Sequence, residues 1–193
     1  MKTDEIIADA LKVLKDGGVI LYPTDTVWGL GCDATNEDAV KKIFEIKRRD
    51  EAKSLVLLAC DLDMVAKHIK EIPQIAIDLV EVNDSPMTII YPGAQYLAPS
   101  VVAEDGSVGI RIPLEEGGGE FCRKLIYKLR RPLVSTSANI SGEPTPKTFA
   151  DISDEIKNAV DYIVPKAVGT GSTGKSSQII KLGLRGEVEI IRQ

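Results

Sequence analysis

Four stretches of the chain bring hydroxyl, amide and cationic groups together at spacings suited to an anionic ligand. The segment Tyr22-Pro-Thr24-Asp25-Thr26-Val-Trp28-Gly-Leu-Gly-Cys-Asp33 puts two hydroxyls and a carboxylate directly after the apolar run Val19 to Tyr22. Alone it reads equally well as a hydroxyl-capped turn. Lys47-Arg48-Arg49-Asp50-Glu51-Ala52-Lys53-Ser54-Leu55 sets four cations between a helical pattern and a strand-like one. Basic residues at a helix C-terminus often do no more than oppose the macrodipole. Lys47, however, continues the apolar stripe of Val40, Ile43 and Phe44, and Lys53 abuts the run Leu55 to Cys60. A cation pressed against a core usually has an anion to meet.

The third stretch, Val108-Gly-Ile-Arg111-Ile-Pro113, holds an arginine inside an apolar strand, where it should face a carboxylate or a phosphate. The fourth, Leu133-Val-Ser135-Thr136-Ser137-Ala-Asn139-Ile-Ser141-Gly142, turns a strand into a run of small hydroxyl and amide groups. Such a run leaves room for a ligand and offers neutral hydrogen bonds to phosphate, ribose or base. All four stretches fall at strand ends, where open α/β sheets bind their ligands.

Residues Gly169-Thr-Gly-Ser-Thr-Gly174-Lys175-Ser176 fit the P-loop pattern, and the pattern is set aside. A P-loop needs a helix opening at its lysine, so that backbone N–H groups face the phosphates. Here Ser-Ser-Gln-Ile-Ile-Lys-Leu follows Lys175, which alternates like a strand and stops at Gly183.

The elements that must position these groups are legible as periodicity. Ile6, Ile7, Ala10, Leu11 and Leu14 recur at helical spacing, with Thr3 as an expected N-cap and Gly17-Gly18 as a stop. Asn36 is expected to cap a second helix that carries Lys47 on its inward side. Further helical patterns run from Gln74 to Val82, Glu120 to Leu129 and Phe149 to Val160. Strand patterns occupy Val19 to Tyr22, Leu55 to Ala59, Met87 to Tyr91, Val108 to Ile112, Leu133 to Thr136, Tyr162 to Val164, Gln178 to Leu182 and Val188 to Ile191. Interleaved helices and strands, with some strands following one another directly, predict an α/β fold on a mixed sheet. The Gly-, Ser- and Thr-rich stretch Pro165 to Ser177 reads as a mobile loop.

A length of 193 residues with 44% hydrophobic content suits one core, so a single domain over 1–193 is expected. The longest apolar runs fall far short of the roughly twenty residues of a membrane span. With an amphipathic start and no signal core, a cytoplasmic protein is expected. Three separated cysteines, Cys32, Cys60 and Cys122, read as reduced packing residues. His68, set among Met64, Val65 and Ile69, reads as a half-buried helix residue, and no metal site is expected. The net charge of -5 argues against a surface that grips nucleic acid throughout. Yet Lys41, Lys42, Lys47, Arg48, Arg49 and Lys53 outnumber Glu45, Asp50 and Glu51 in one stretch, which suits a small anion.

Taken in order, Tyr22-Pro-Thr-Asp-Thr-Val-Trp-Gly-Leu, Lys47-x-Arg49 with Lys53, Gly109-x-Arg111-x-Pro113 and Ser135-Thr-Ser-Ala-Asn139-x-Ser-Gly142 resemble the threonylcarbamoyl-AMP synthase family, also known as YrdC/Sua5. The resemblance runs from about Thr3 to Gln193, in the short form without an appended C-terminal domain. It implies a twisted mixed sheet with helices packed on it and a concave, positively charged groove. It further implies a nucleotidyltransferase that takes L-threonine, bicarbonate and ATP, with Mg²⁺, and releases pyrophosphate. The product would serve the t6A modification of tRNA through a tRNA threonylcarbamoyl transferase complex. By position, Lys47, Arg49 and Arg111 resemble the cations that meet phosphates and the threonyl carboxylate, with Lys53 beside them. Thr24 resembles the threonine side of the site, Ser137 and Asn139 resemble ATP-binding residues, and Ser176 and Arg192 resemble C-terminal members of the nucleotide pocket.

The chain departs from the family where many relatives have proline, at Asp50 and Ser54, and reads Pro92-Gly93-Ala94 where Pro-Gly-Pro is usual. These positions bear on loop stiffness rather than charge. Two other readings stand beside the synthase: a paralogue with another carbamoyl or acyl substrate, and a non-catalytic factor that clasps RNA in the groove.

Overall fold

A computed structural model describes residues 1–50 and 55–193. Among these, nine strands form one mixed sheet. They are β1 (Ile20–Tyr22), β2 (Gly29–Gly31), β3 (Val56–Leu58), β4 (Met87–Tyr91), β5 (Val108–Arg111), β6 (Leu133–Ser137), β7 (Tyr162–Ile163), β8 (Gln178–Leu182) and β9 (Val188–Arg192). The order across the sheet is β7-β1-β2-β6-β3-β5-β4-β8-β9. β1 with β7, β3 with β5 and β4 with β8 run parallel, and the other pairs are antiparallel. The helices are α1 (Thr3–Lys15), α2 (Glu37–Lys47), α3 (Leu62–His68), α4 (Gln74–Val82), α5 (Gly119–Leu129) and α6 (Asp154–Ala159). None is long and apolar enough to cross a membrane.

Alternation along the strands divides the sheet into two faces. Leu57, Ile89, Ile110 and Val134 belong to the same buried cluster as Ile7 and Leu14 of α1, Ile43 of α2 and Leu125 of α5. Their neighbours Val56, Ile90, Gly109, Arg111 and Ser135 line the opposite, open face. One face is therefore sealed by helices, and the other is left to a ligand.

Local rules account for most boundaries. Asn36 Oδ1 accepts the Ala39 N–H at 3.1 Å, the expected cap of α2. In α1 the cap position falls to Lys2, with Thr3 as the first helical residue, and acidic Asp4 and Glu5 fill the first turn. The pattern Phe149 to Val160 is not one helix. It breaks into a short 3₁₀ turn at Phe149–Asp151 and α6, because Ser153 Oγ accepts the Ile156 N–H at 3.3 Å and starts a new helix. β2 carried no strand signature, since Gly29-Leu30-Gly31 has only one apolar side chain. Its glycines serve the packing: a Cβ on Gly31 would run into the Tyr22 ring, whose hydroxyl donates to Val134 O at 3.0 Å.

Candidate active site

On the open face lies a cleft of about 820 Å³, within the ~300–1,000 Å³ typical of small-molecule sites. Register places Arg111 of β5 opposite Thr88 of β4, Thr88 opposite Ile179 of β8, and Ile179 opposite Arg192 of β9. Two residues along β5, β4 and β8, and three along β9 where the register shifts, the equivalent row reads Gly109, Ile90, Lys181 and Glu189. The cleft thus has a cationic row and, beside it, a mixed one. In the mixed row Lys181 Nζ reaches Asp105 Oδ2 at 2.7 Å. The bond from Lys181, then those from the Ser107 hydroxyl and N–H, hold the Asp105 carboxyl well below the usual range.

Of the residues singled out from sequence, Arg49, Arg111, Ser137, Ser176 and Arg192 line this one cleft. Burial lowers the pKa of Arg49. Burial, then the positive charge of nearby Arg111, lowers that of Arg192, whose Nε donates to Ser177 O at 2.9 Å. Like charges gathered on half-buried ground favour an anionic occupant. Lys53 lies outside the described residues.

Lys47, Thr24 and Asn139 stand behind the wall rather than on it. Lys47 finishes inward, as its stripe requires, and is 1% exposed. Its ammonium donates to Ser137 O at 2.5 Å and Asn139 O at 2.7 Å, with Asn139 Oδ1 at 3.5 Å. Among the described residues its partners are therefore neutral oxygens. Burial, and then the charge of Arg49, bring its pKa down to about 8. Asn139 spends its amide N–H groups on Ile140 O (3.2 Å) and Glu143 O (2.8 Å), closing the turn after β6. Thr24 is buried, and its hydroxyl donates to Val27 O at 2.7 Å and accepts the Thr26 N–H at 3.0 Å.

The buried arginine does find a carboxylate. Arg111 pairs with Asp25 and donates to Thr26 Oγ1 at 3.3 Å. Neither Asp25 nor Thr26 was singled out as a site residue, although both stand in the first motif. Sequence carried no signal that the motif's acid and the strand's arginine meet.

The stretch read as a mobile loop is tied down across the same motif. Ser172 Oγ donates to Thr24 O, Thr173 N–H to Asp25 O at 3.0 Å, and Gly174 N–H to Thr26 O at 2.8 Å. Farther on, Ser177 Oγ and Thr88 Oγ1 lie 2.7 Å apart, both buried. Residues 169–177 therefore form a strap over one end of the cleft. No helix follows Lys175: β8 begins at Gln178, and Lys175 is exposed away from the cleft lining. Close backbone contact explains the Gly117-Gly118-Gly119 run, a signal that was available in the sequence. A Cβ on Gly117 would stand 2.6 Å from Ser172 N, and one on Gly118 2.6 Å from the Pro23 carbonyl carbon.

Comparison with known proteins bears on the family and the fold. The Sua5/YciO/YrdC family model, described as Telomere recombination, matches residues 12–193. A Pseudomonas aeruginosa protein named Threonylcarbamoyl-AMP synthase is 34% identical over 161 residues, which are 83% of this chain and 84% of the relative. A P. abyssi Sua5 structure complexed with L-threonine superposes with a TM-score of 0.82 at 29% identity, over 94% of this chain and 52% of that one. A variant P. abyssi Sua5 gives 0.86 at 28% identity, with all of this chain covering 57% of the other. The chain thus spans just over half the length of the Sua5 proteins it resembles. E. coli YciO shares the fold at a TM-score of 0.82 and 23% identity. The family match over nearly all of the chain, with the four motifs brought to one face of the sheet, means that this protein belongs to the Sua5/YciO/YrdC family.

Proposed function

We propose that the chain is a threonylcarbamoyl-AMP synthase, a nucleotidyltransferase that joins L-threonine, bicarbonate and ATP and releases pyrophosphate. The observation that carries this reading is the convergence of Arg49, Arg111 and Arg192 with the Ser137 and Ser176 segments on one cleft. Its relatives support the choice of reactants: one is named for the product, and one was solved with L-threonine.

The chemistry begins when the threonine amine adds to bicarbonate, giving N-carboxythreonine with loss of water. A carboxylate oxygen of that species attacks the α-phosphorus of ATP. A new P–O bond forms, the bond to the bridging oxygen breaks, and pyrophosphate leaves with the electron pair. Both reactants are anions, so fixed cations that offset their repulsion and the growing charge on the phosphate oxygens should supply much of the acceleration. Arg49, Arg111 and Arg192, which line the cleft, would take that role, with Lys53 as a further candidate. Ser137 and Ser176 would hold the nucleotide by neutral hydrogen bonds. Lys47 and Asn139 act one layer back, holding the Ser137 turn in place, and Thr24 shapes the turn that presents Thr26. The direct attack on the α-phosphorus needs no covalent nucleophile from the protein, so alignment of the two substrates carries the rest.

Among the described residues no three His, Cys, Asp or Glu side chains are arranged to hold a metal. Mg²⁺ would therefore enter with ATP, held by phosphate oxygens and water. The product is a mixed anhydride, suited to a cytoplasmic tRNA threonylcarbamoyl transferase complex that passes the group to tRNA, and RNA remains a further partner to test.

The test is pyrophosphate release from purified protein with Mg²⁺ and ATP, omitting L-threonine and bicarbonate in turn. Release should need both. Release that ignores threonine points to the paralogue reading, and none from folded protein with every substrate points to the RNA-binding one.

A further inference from the structure

Asp25 is 2% exposed, and all three of its oxygens are engaged. One carboxylate oxygen pairs with Arg111 and the other accepts the Leu114 N–H at 3.2 Å. Its main-chain oxygen accepts the Thr173 N–H of the strap at 3.0 Å. One residue thus joins the turn after β1, the end of β5, the segment leading into α5, and the strap.

Arg111 is correspondingly constrained. Its two terminal nitrogens donate to Asp25 and to Thr26 Oγ1, and Thr26 Oγ1 lies 3.0 Å from Thr24 Oγ1. Among the described residues its Nε has no hydrogen-bond partner. A guanidinium carries five N–H donors, so donors remain on a group that lines the cleft. Two acceptors on separate nitrogens fix the plane of the fork, which a single contact would leave free to turn.

Stability gives no sufficient reason for this arrangement. A buried ion pair can commonly be replaced by apolar residues at no loss. Asp25 also places a negative charge beneath a cleft suited to anions, which works against binding. A group that opposes ligand attraction yet is held by three segments is better explained by orientation.

We propose that Asp25 is a positioning residue: it fixes the plane of Arg111 so that the remaining N–H donors meet the charge that develops during transfer. The proposal rests on the synthase reading for its reaction. Its signature is a split between binding and turnover, because removing the charge eases anion binding while releasing the guanidinium.

The test is Asp25→Asn. It should bind ATP, with Mg²⁺, as tightly as the parent or up to about tenfold more tightly, and turn over at least about thirtyfold more slowly, the scale of one misplaced electrostatic donor. In an Arg111→Ala background the same change should alter turnover by less than about twofold, since residues acting as one unit are not additive. Binding and turnover that fall together, or effects that multiply, overturn the proposal. If Asp25→Asn does not fold, Asp25→Glu keeps the charge and shifts it by one methylene. That variant should lose turnover about tenfold with ATP affinity within about threefold of the parent, and full turnover overturns the idea. The ¹⁵N signal of Arg111 Nε–H gives a readout that needs no activity. It should be a single slowly exchanging resonance in the parent and broadened in the variant, and an unchanged signal sinks the positioning role. Absence of pyrophosphate release in the parent would sink the synthase reading instead, with the resonance still deciding the role of Asp25.

Discussion

Lys47 and Arg111 make an instructive pair. Both are cations carried inward by apolar elements, Lys47 on the buried stripe of α2 and Arg111 on β5, and they are 1% and 4% exposed. Their company differs. Arg111 meets a full negative charge on Asp25, whereas Lys47 meets the main-chain oxygens of Ser137 and Asn139. A compact ammonium can be surrounded by carbonyl dipoles, while a planar fork matches a carboxylate. The difference separates their surroundings: Arg111 lines the cleft with an Nε that has no partner among the described residues, and Lys47 holds the turn that carries Ser137.

The comparison is sharpened most by Arg111→Ala. Leaving Asp25 buried without its partner should destabilise the protein by about 3–5 kcal/mol, measured by urea unfolding, and folded protein should lose roughly a hundredfold or more in pyrophosphate release. Lys47→Ala should lose less stability, about 1–3 kcal/mol for carbonyls left unsatisfied. Its ATP affinity, read by calorimetry, should stay within about tenfold. A larger loss of affinity would make Lys47 a ligand contact and break the contrast.

Proton linkage separates the two again. The folded pKa of Lys47 is about 8 against 10.5 for an ordinary lysine. Between those values the unfolded chain keeps the proton that the folded chain has lost. Raising the pH through this window therefore disfavours the unfolded state, which holds the extra proton, and stability rises by up to about 3 kcal/mol. Urea midpoints from pH 8 to 10.5, compared with Lys47→Met, should show the rise in the parent alone.

The strap over Asp25 can be probed separately. Gly171 has φ +91°, and a Cβ there would meet only the Gly117 backbone at ordinary contact distance, so Gly171→Ala isolates backbone strain. A loss of about 1–2 kcal/mol, or roughly 2–8 °C in Tm, is expected. The smallest effect is expected from Lys175→Ala, since no helix follows it to cradle phosphate. ATP affinity should change by less than about threefold.

Much of the framework could be read directly. β4 and β8 were expected at their observed limits, and Asn36 caps α2 as its position required. Where reading failed, the missing information was not local. β2 is a strand because Gly29 and Gly31 let other parts of the chain come close, not through any propensity of its own. Residues 169–177 are rich in turn formers, yet the Thr24–Thr26 backbone, distant in sequence, supplies the hydrogen bonds that hold them.

By itself the sequence determined the alternation of helices and strands, the inward course of Lys47 and Arg111, and the improbability of a P-loop before an alternating strand. These follow from periodicity, which any segment carries within itself. Only the tertiary structure decided what each cation meets. Asp25 lies 86 residues from Arg111, and Asn139 lies 92 from Lys47. Burial obliges a charge to find a partner, but whether that partner is a carboxylate or a carbonyl depends on which strands become neighbours in the sheet.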